Sequence, residues 1–126
     1  MKNLNNLVCS LELSKKLKEL GVKQGSYFWW NFNEENGWVV EDKIWEFGDN
    51  GRDCIKSYSA YTSGELGELF PKEEWFTIER KVGMLSNKLK WFVTNKLTDK
   101  VFTAETLANA MAKMLVYLLE NELIKL

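Results

Sequence analysis

Ser26-Tyr27-Phe28-Trp29-Trp30-Asn31-Phe32-Asn33-Glu34-Glu35-Asn36-Gly37-Trp38 is the stretch in which the chain changes its period. Phe28, Trp30 and Phe32 alternate with Tyr27, Trp29 and Asn31, the two-residue repeat of a strand, with bulk on both faces. Asn33 to Gly37 is a run of turn formers, and a second strand, or a bent pair of short ones, is expected from Trp38 to Phe47. The two make a β-hairpin. Upstream the repeat is helical: Leu13, Leu17 and Leu20 stand at i, i+4 and i+7, with Lys15, Lys16, Lys18 and Glu19 on the other side of a helix over residues 11–20. Ser10 is placed to cap its start, Gly21 to stop it and Val22 to close a Schellman turn. The lysines read as a solvated face.

Downstream, Gly48 to Asp53 is a loop, and Cys54 to Tyr61 reads as extended. Thr62-Ser63-Gly64-Glu65 has the spacing of a capping box, so a short helix should follow, bury Leu66, Leu69 and Phe70, and end before Pro71. Trp75 to Arg80 and Leu89 to Thr94 alternate as strands. A long helix is expected from Ala104 to the region of Glu122, with Thr103 as N-cap. Its apolar stripe is Leu107, Met111, Met114, Leu115, Leu118 and Leu119, and its alanines allow close approach to a sheet. Strands joined mostly by turns imply an α+β domain over residues 1–126 with a largely antiparallel sheet of about four strands. Bulk on both faces of the aromatic strands calls for two covers, the long helix on one side and the shorter helices on the other.

The chain has 126 residues, 17 aromatics including six Trp, no His, and a net charge of −1. Lacking histidine, it has no Ser-His-Asp or Cys-His catalysis, no HExxH zinc site and no histidine pH switch. The adjacent carboxylates Glu34/Glu35, Glu41/Asp42 and Glu73/Glu74 diverge if extended, and Asp49-x-x-x-Asp53 lacks the alternating ligands of a calcium loop. No catalytic residues, metal or cofactor are therefore expected, and the chain leans toward a non-enzymatic role. The charge balance and the presence of only two arginines, Arg52 and Arg80, argue against a nucleic-acid binder. No apolar run reaches the ~18 residues of a membrane span, so a cytoplasmic protein is expected. Cys9 and Cys54 read as buried free thiols.

Two surfaces remain. An aromatic ligand pocket would draw on Trp29, Tyr58, Tyr61 and Trp75 with Arg80 as its guanidinium, and would suit a nucleobase or another planar ligand. A partner-binding surface would use the acidic residues Glu34, Glu35, Glu41 and Asp42. A homodimer through the C-terminal helix or an edge strand is a further expectation, since an open sheet has two edges.

Three stretches, residues 8–24, 58–71 and 108–121, together about a third of the chain, resemble a family of short proteins encoded by phages and prophages. They include Val8-Cys9-Ser10-Leu11-Glu12-Leu13, Tyr58-Ser59-Ala60-Tyr61-Thr62-Ser63-Gly64-Glu65-Leu66 and Met111-Ala112-Lys113-Met114-Leu115-Val116-Tyr117-Leu118-Leu119-Glu120-Asn121, in the family's order. Residues 25–56 depart most from it. The resemblance implies a phage origin and an α/β sandwich, and it carries over no catalytic residues. By analogy with small phage accessory proteins, it implies action by occupancy in the host cytosol. The target would be a host protein, as in a counter-defence factor, or a sequestered host signalling nucleotide. A subunit of a phage assembly is the third possibility.

Overall fold

The computed structural model describes residues 4–33, 35, 37–42, 57–70, 76–82, 88–96 and 98–124. Helix α1 (Leu11–Glu19) begins where Ser10 accepts a hydrogen bond from the Leu13 N–H. It ends in a Schellman turn: Gly21 takes φ +93°, and the Val22 and Gly21 N–H groups return to the Leu17 and Lys18 carbonyls at 3.0 Å. That positive φ is the conformation a side chain at position 21 would strain. Helix α2 (Ser63–Leu69) starts in a complete capping box between Thr62 and Glu65. Both starts lie where the sequence places them.

Among the described residues the strands form two antiparallel sheets of three. In the first, β1 (Phe28–Asn33) lies between β2 (Gly37–Glu41) and β3 (Ser57–Ala60). Its register sets Phe32 opposite Trp38, Trp30 opposite Val40 and Tyr58, and Phe28 opposite Ala60. One face is therefore apolar, and it packs on Val8 and Leu11. The other carries Trp29, Asn31, Glu41, Ser57 and Ser59. In the second sheet, β5 (Leu89–Asn95) lies between β4 (Phe76–Val82) and β6 (Val101–Ala104).

Helix α3 (Leu107–Glu120) joins these parts, touching β5, β6, α1 and α2, while α1 in turn packs on β3. A helix backed by one sheet buries a single stripe. Here Ala110 and Ala112 are fully buried along with Met111, Met114, Leu115 and Leu118, because α1 and α2 press on its further sides. Residues 8–10 stitch the layers together. Val8 bridges to Thr62, the Cys9 N–H donates to the Tyr61 carbonyl at 2.9 Å, and the Cys9 carbonyl accepts from Trp30 Nε1 at 3.0 Å. The Ser10 N–H donates to Asn109 Oδ1 at 2.6 Å.

The α+β class and the long C-terminal helix agree with the sequence; three details do not. Among the described residues there are six strands rather than about four, and they divide into two sheets linked by the helices, where one sheet between helical covers was expected. Thr103 is not the cap of the long helix. Residues 101–104 pair with β5 instead, and Thr106 caps α3 by accepting from the Asn109 N–H. Both threonines suit a cap, and the ladder to β5 decides between them. The strand expected to end at Arg80 runs on to Val82. Trp45, Cys54, Trp75, the loop at Gly48 to Asp53 and the later part of the second expected strand lie outside the described residues. No described helix is long and apolar enough to cross a membrane.

Candidate functional site

The register of the first sheet assembles a row of rings that are distant in sequence. Phe32 and Trp38 meet edge-on with centroids 5.4 Å apart, and Trp38 meets Tyr58 at 5.7 Å, reaching over β1 between them. From α1, the Lys15 ammonium lies 5.2 Å from the Trp38 centroid and 5.7 Å from that of Tyr58, and Lys18 lies 5.1 Å from Tyr58. Lys15 and Lys18 are three apart on the helix and so share a face. Phe32, at the outer end of the row, is 40% exposed. Each ring edge or face left to solvent can take a planar group, and each ammonium can take an anion. No protein-family model, curated protein or solved structure matches the chain. The row's chemistry therefore rests on its own geometry.

Of the ligand residues expected from the sequence, the row contains Tyr58 alone. Trp29 is half-buried on the opposite face of β1, between Glu41 and Ser59. Tyr61 is buried; its hydroxyl donates to the Lys23 carbonyl and accepts from Gln24 Nε2 at 3.4 Å, and burial pushes its phenol up. Arg80 belongs to the second sheet, with its guanidinium 5.6 Å from the Trp91 centroid. Trp75 lies outside the described residues. The structure thus brings Tyr58 to Trp38 and Phe32, not to Trp29, Tyr61 or Arg80.

The acidic residues also separate. Glu35 is exposed between β1 and β2, and Asp42 is exposed just beyond β2. Glu41 is half-buried, and its Oε1 accepts from Asn31 Nδ2 at 3.2 Å. Asn31 Oδ1 accepts in turn from the Ser57 hydroxyl at 2.7 Å. Glu41 is thereby part of a polar ladder that ties β1 to both its neighbours. Glu34 lies outside the described residues.

From the sequence alone, Lys15 and Lys18 belong to a solvated face of α1. Their i, i+3 spacing was the available signal, but the rings beneath them come from cross-strand pairing that no local pattern reports. At α2, Glu65 Oε1 accepts from the Thr62 N–H at 3.0 Å, and its Oε2 accepts from the Tyr27 N–H at 3.1 Å. A carboxylate already meets that helix start. A cleft of about 650 Å³ between the starts of α1 and α3 mixes Glu12 and Glu105 with Lys16, Lys90 and Lys113. Its charges are engaged in part: Lys113 donates to the Thr103 carbonyl, and Lys16 pairs with Glu120 at 3.1 Å. Cys9 is a buried free thiol beside the Ser14 hydroxyl at 3.2 Å, and burial pushes its pKa up, away from the thiolate a nucleophile needs.

Proposed function

We propose that the chain is a binding protein that acts by occupancy, and that its ligand is a nucleotide held on the Phe32–Trp38–Tyr58 row. The observation that carries this reading is the row of edge-on and tilted rings with two lysine ammonium groups 5.1 to 5.7 Å from the centroids of Trp38 and Tyr58. A base lies against the exposed ring of Phe32 and the flank of Trp38, while Lys15 and Lys18 turn to the phosphates. Two cations suit a ligand of one or two phosphates better than a polymer, whose affinity rests on many phosphate contacts. In the phage setting that the family resemblance implies, such a protein would sequester a host signalling nucleotide and so act as a counter-defence factor. A host protein is the companion reading, supported by the exposed carboxylates of Glu35 and Asp42.

Titration of the full chain with nucleoside monophosphates and cyclic mono- and dinucleotides, followed by Trp fluorescence, tests it. Saturable quenching is expected with at least one of them. Trp38→Leu should weaken binding about tenfold or more, the worth of one stacking contact. The charge reversal Lys15→Glu with Lys18→Glu should abolish it. No quenching by any nucleotide, or quenching indifferent to these changes, would overturn the proposal.

A further inference from the structure

The strand edges of the molecule are protected unequally. Along β3 the outer backbone is answered locally: the Ser59 N–H donates to Gln24 Oε1 at 2.8 Å, and the Ser59 hydroxyl accepts from the Gly25 N–H at 2.9 Å. In β2 every residue is half-buried. Strand β4 is different. Among the described strands it is one of the two outer strands of the second sheet, and every residue from Ile78 to Val82 is exposed. Ile78 and Val82 share one face, and Leu89 stands opposite Val82 on β5; the three are 44%, 54% and 48% exposed. Glu79 and Lys81 occupy the other face, with side chains 61% and 56% exposed. A seven-residue edge strand with uncovered aliphatic side chains is a template for another strand.

We infer that β4 pairs antiparallel with β4 of a second copy of this chain, joining two three-stranded sheets into one of six strands. The charge pattern fixes the register. A two-fold axis through Arg80 sets each Glu79 opposite Lys81 of the other copy and each Ile78 opposite Val82. An axis through Glu79 would oppose two glutamates and set Ile78 against Arg80. An axis through Lys81 would oppose two lysines and set Arg80 against Val82. Opposite charges across strands attract and like charges repel, so only the first register gains on both faces. Its one like pair is Arg80 with Arg80, and each guanidinium is held over its own Trp91 at the solvent-exposed surface. The dimer stands apart from the nucleotide row, which lies on the other sheet, so either can fail without the other.

Sedimentation equilibrium of the full chain over a range of concentrations is the test, with circular dichroism confirming that each variant is folded. A reversible monomer–dimer equilibrium is expected. Glu79→Lys or Lys81→Glu alone should weaken it about tenfold, because two attractive pairs become repulsive. The double reversal should restore it to within about threefold, and Arg80→Gln should tighten it by removing the like pair. A monomer at every concentration overturns the inference. So does a dimer that ignores the single reversals, or a double variant weaker than either single one.

Discussion

The first and second sheets have the same strand number and the same antiparallel pairing, but their outer strands meet water differently. In the first, Asn31 and Ser59 are fully buried and hydrogen-bonded to the neighbouring strand or segment, and the rings of Trp38 and Tyr58 lie under lysines from α1. In the second, the charged residues of β4 face water, Arg80 and Lys81 rest on the half-buried rings of Trp91 and Phe92, and the aliphatic side chains of Ile78 and Val82 stay uncovered. Buried polar groups that are fully paired fix one register, because any slip strands them without partners. The first sheet is therefore built to keep its strands in place, and the second is built with room for another strand.

Helix α3 backs the second sheet directly and the first through α1, so the strongest way to blur this contrast is to hollow out that helix. Leu115→Ala should cost about 3 kcal/mol. Unfolding followed by fluorescence and by circular dichroism should still give coincident transitions; two separate transitions would mean that the sheets are independent. Asn31→Leu should cost about 2 kcal/mol, because Ser57 and Glu41 lose their partner, whereas Thr94→Ala in β5 should cost less than about 0.5 kcal/mol. Equal losses in urea titrations would break the comparison. Thr62→Ala removes the cap of α2 and should cost about 1 kcal/mol by the same measurement.

The smallest effect is a pH dependence confined to the first sheet's seam with residues 8–10. Burial raises the pKa of Cys9 and Tyr61 in the folded chain, whereas the unfolded chain releases those protons near the ordinary values of about 9 and 10. Above those values the unfolded state binds fewer protons than the native one, so stability is whole below about pH 9 and falls as the pH rises. The urea midpoint should drop as the pH rises above about 9, and Cys9→Ala should flatten the first part of that drop. A rising midpoint would refute the burial argument.

The sequence makes legible whatever is decided within a few residues. Ser10, Gly21 with Val22, and Thr62 with Glu65 mark helix ends by their own chemistry, and the structure places those ends accordingly. Alternation marks β1 and β5. The division into two sheets was not legible, because it depends on β3 pairing with β1 across a long stretch of chain. β6 was lost for a related reason: Thr103 and Thr106 offer competing helix starts, and only pairing with β5 chooses between them. The ring row was half legible. Tyr58 was singled out, but its neighbours come from register, and the lysines above it from the way α1 crosses β3.

The hydrogen bond from the Ser10 N–H to Asn109 spans 99 residues and joins the start of the first helix to the start of the last. Contacts of such sequence separation slow folding, because the loop must close before they form. A chain emerging from the ribosome would carry α1 and α2 without their backing until α3 is synthesised. For that interval Leu17, Tyr61 and Leu66 are open to other chains, which makes the rate of translation through residues 60–107, and any holdase that meets those side chains, a determinant of yield.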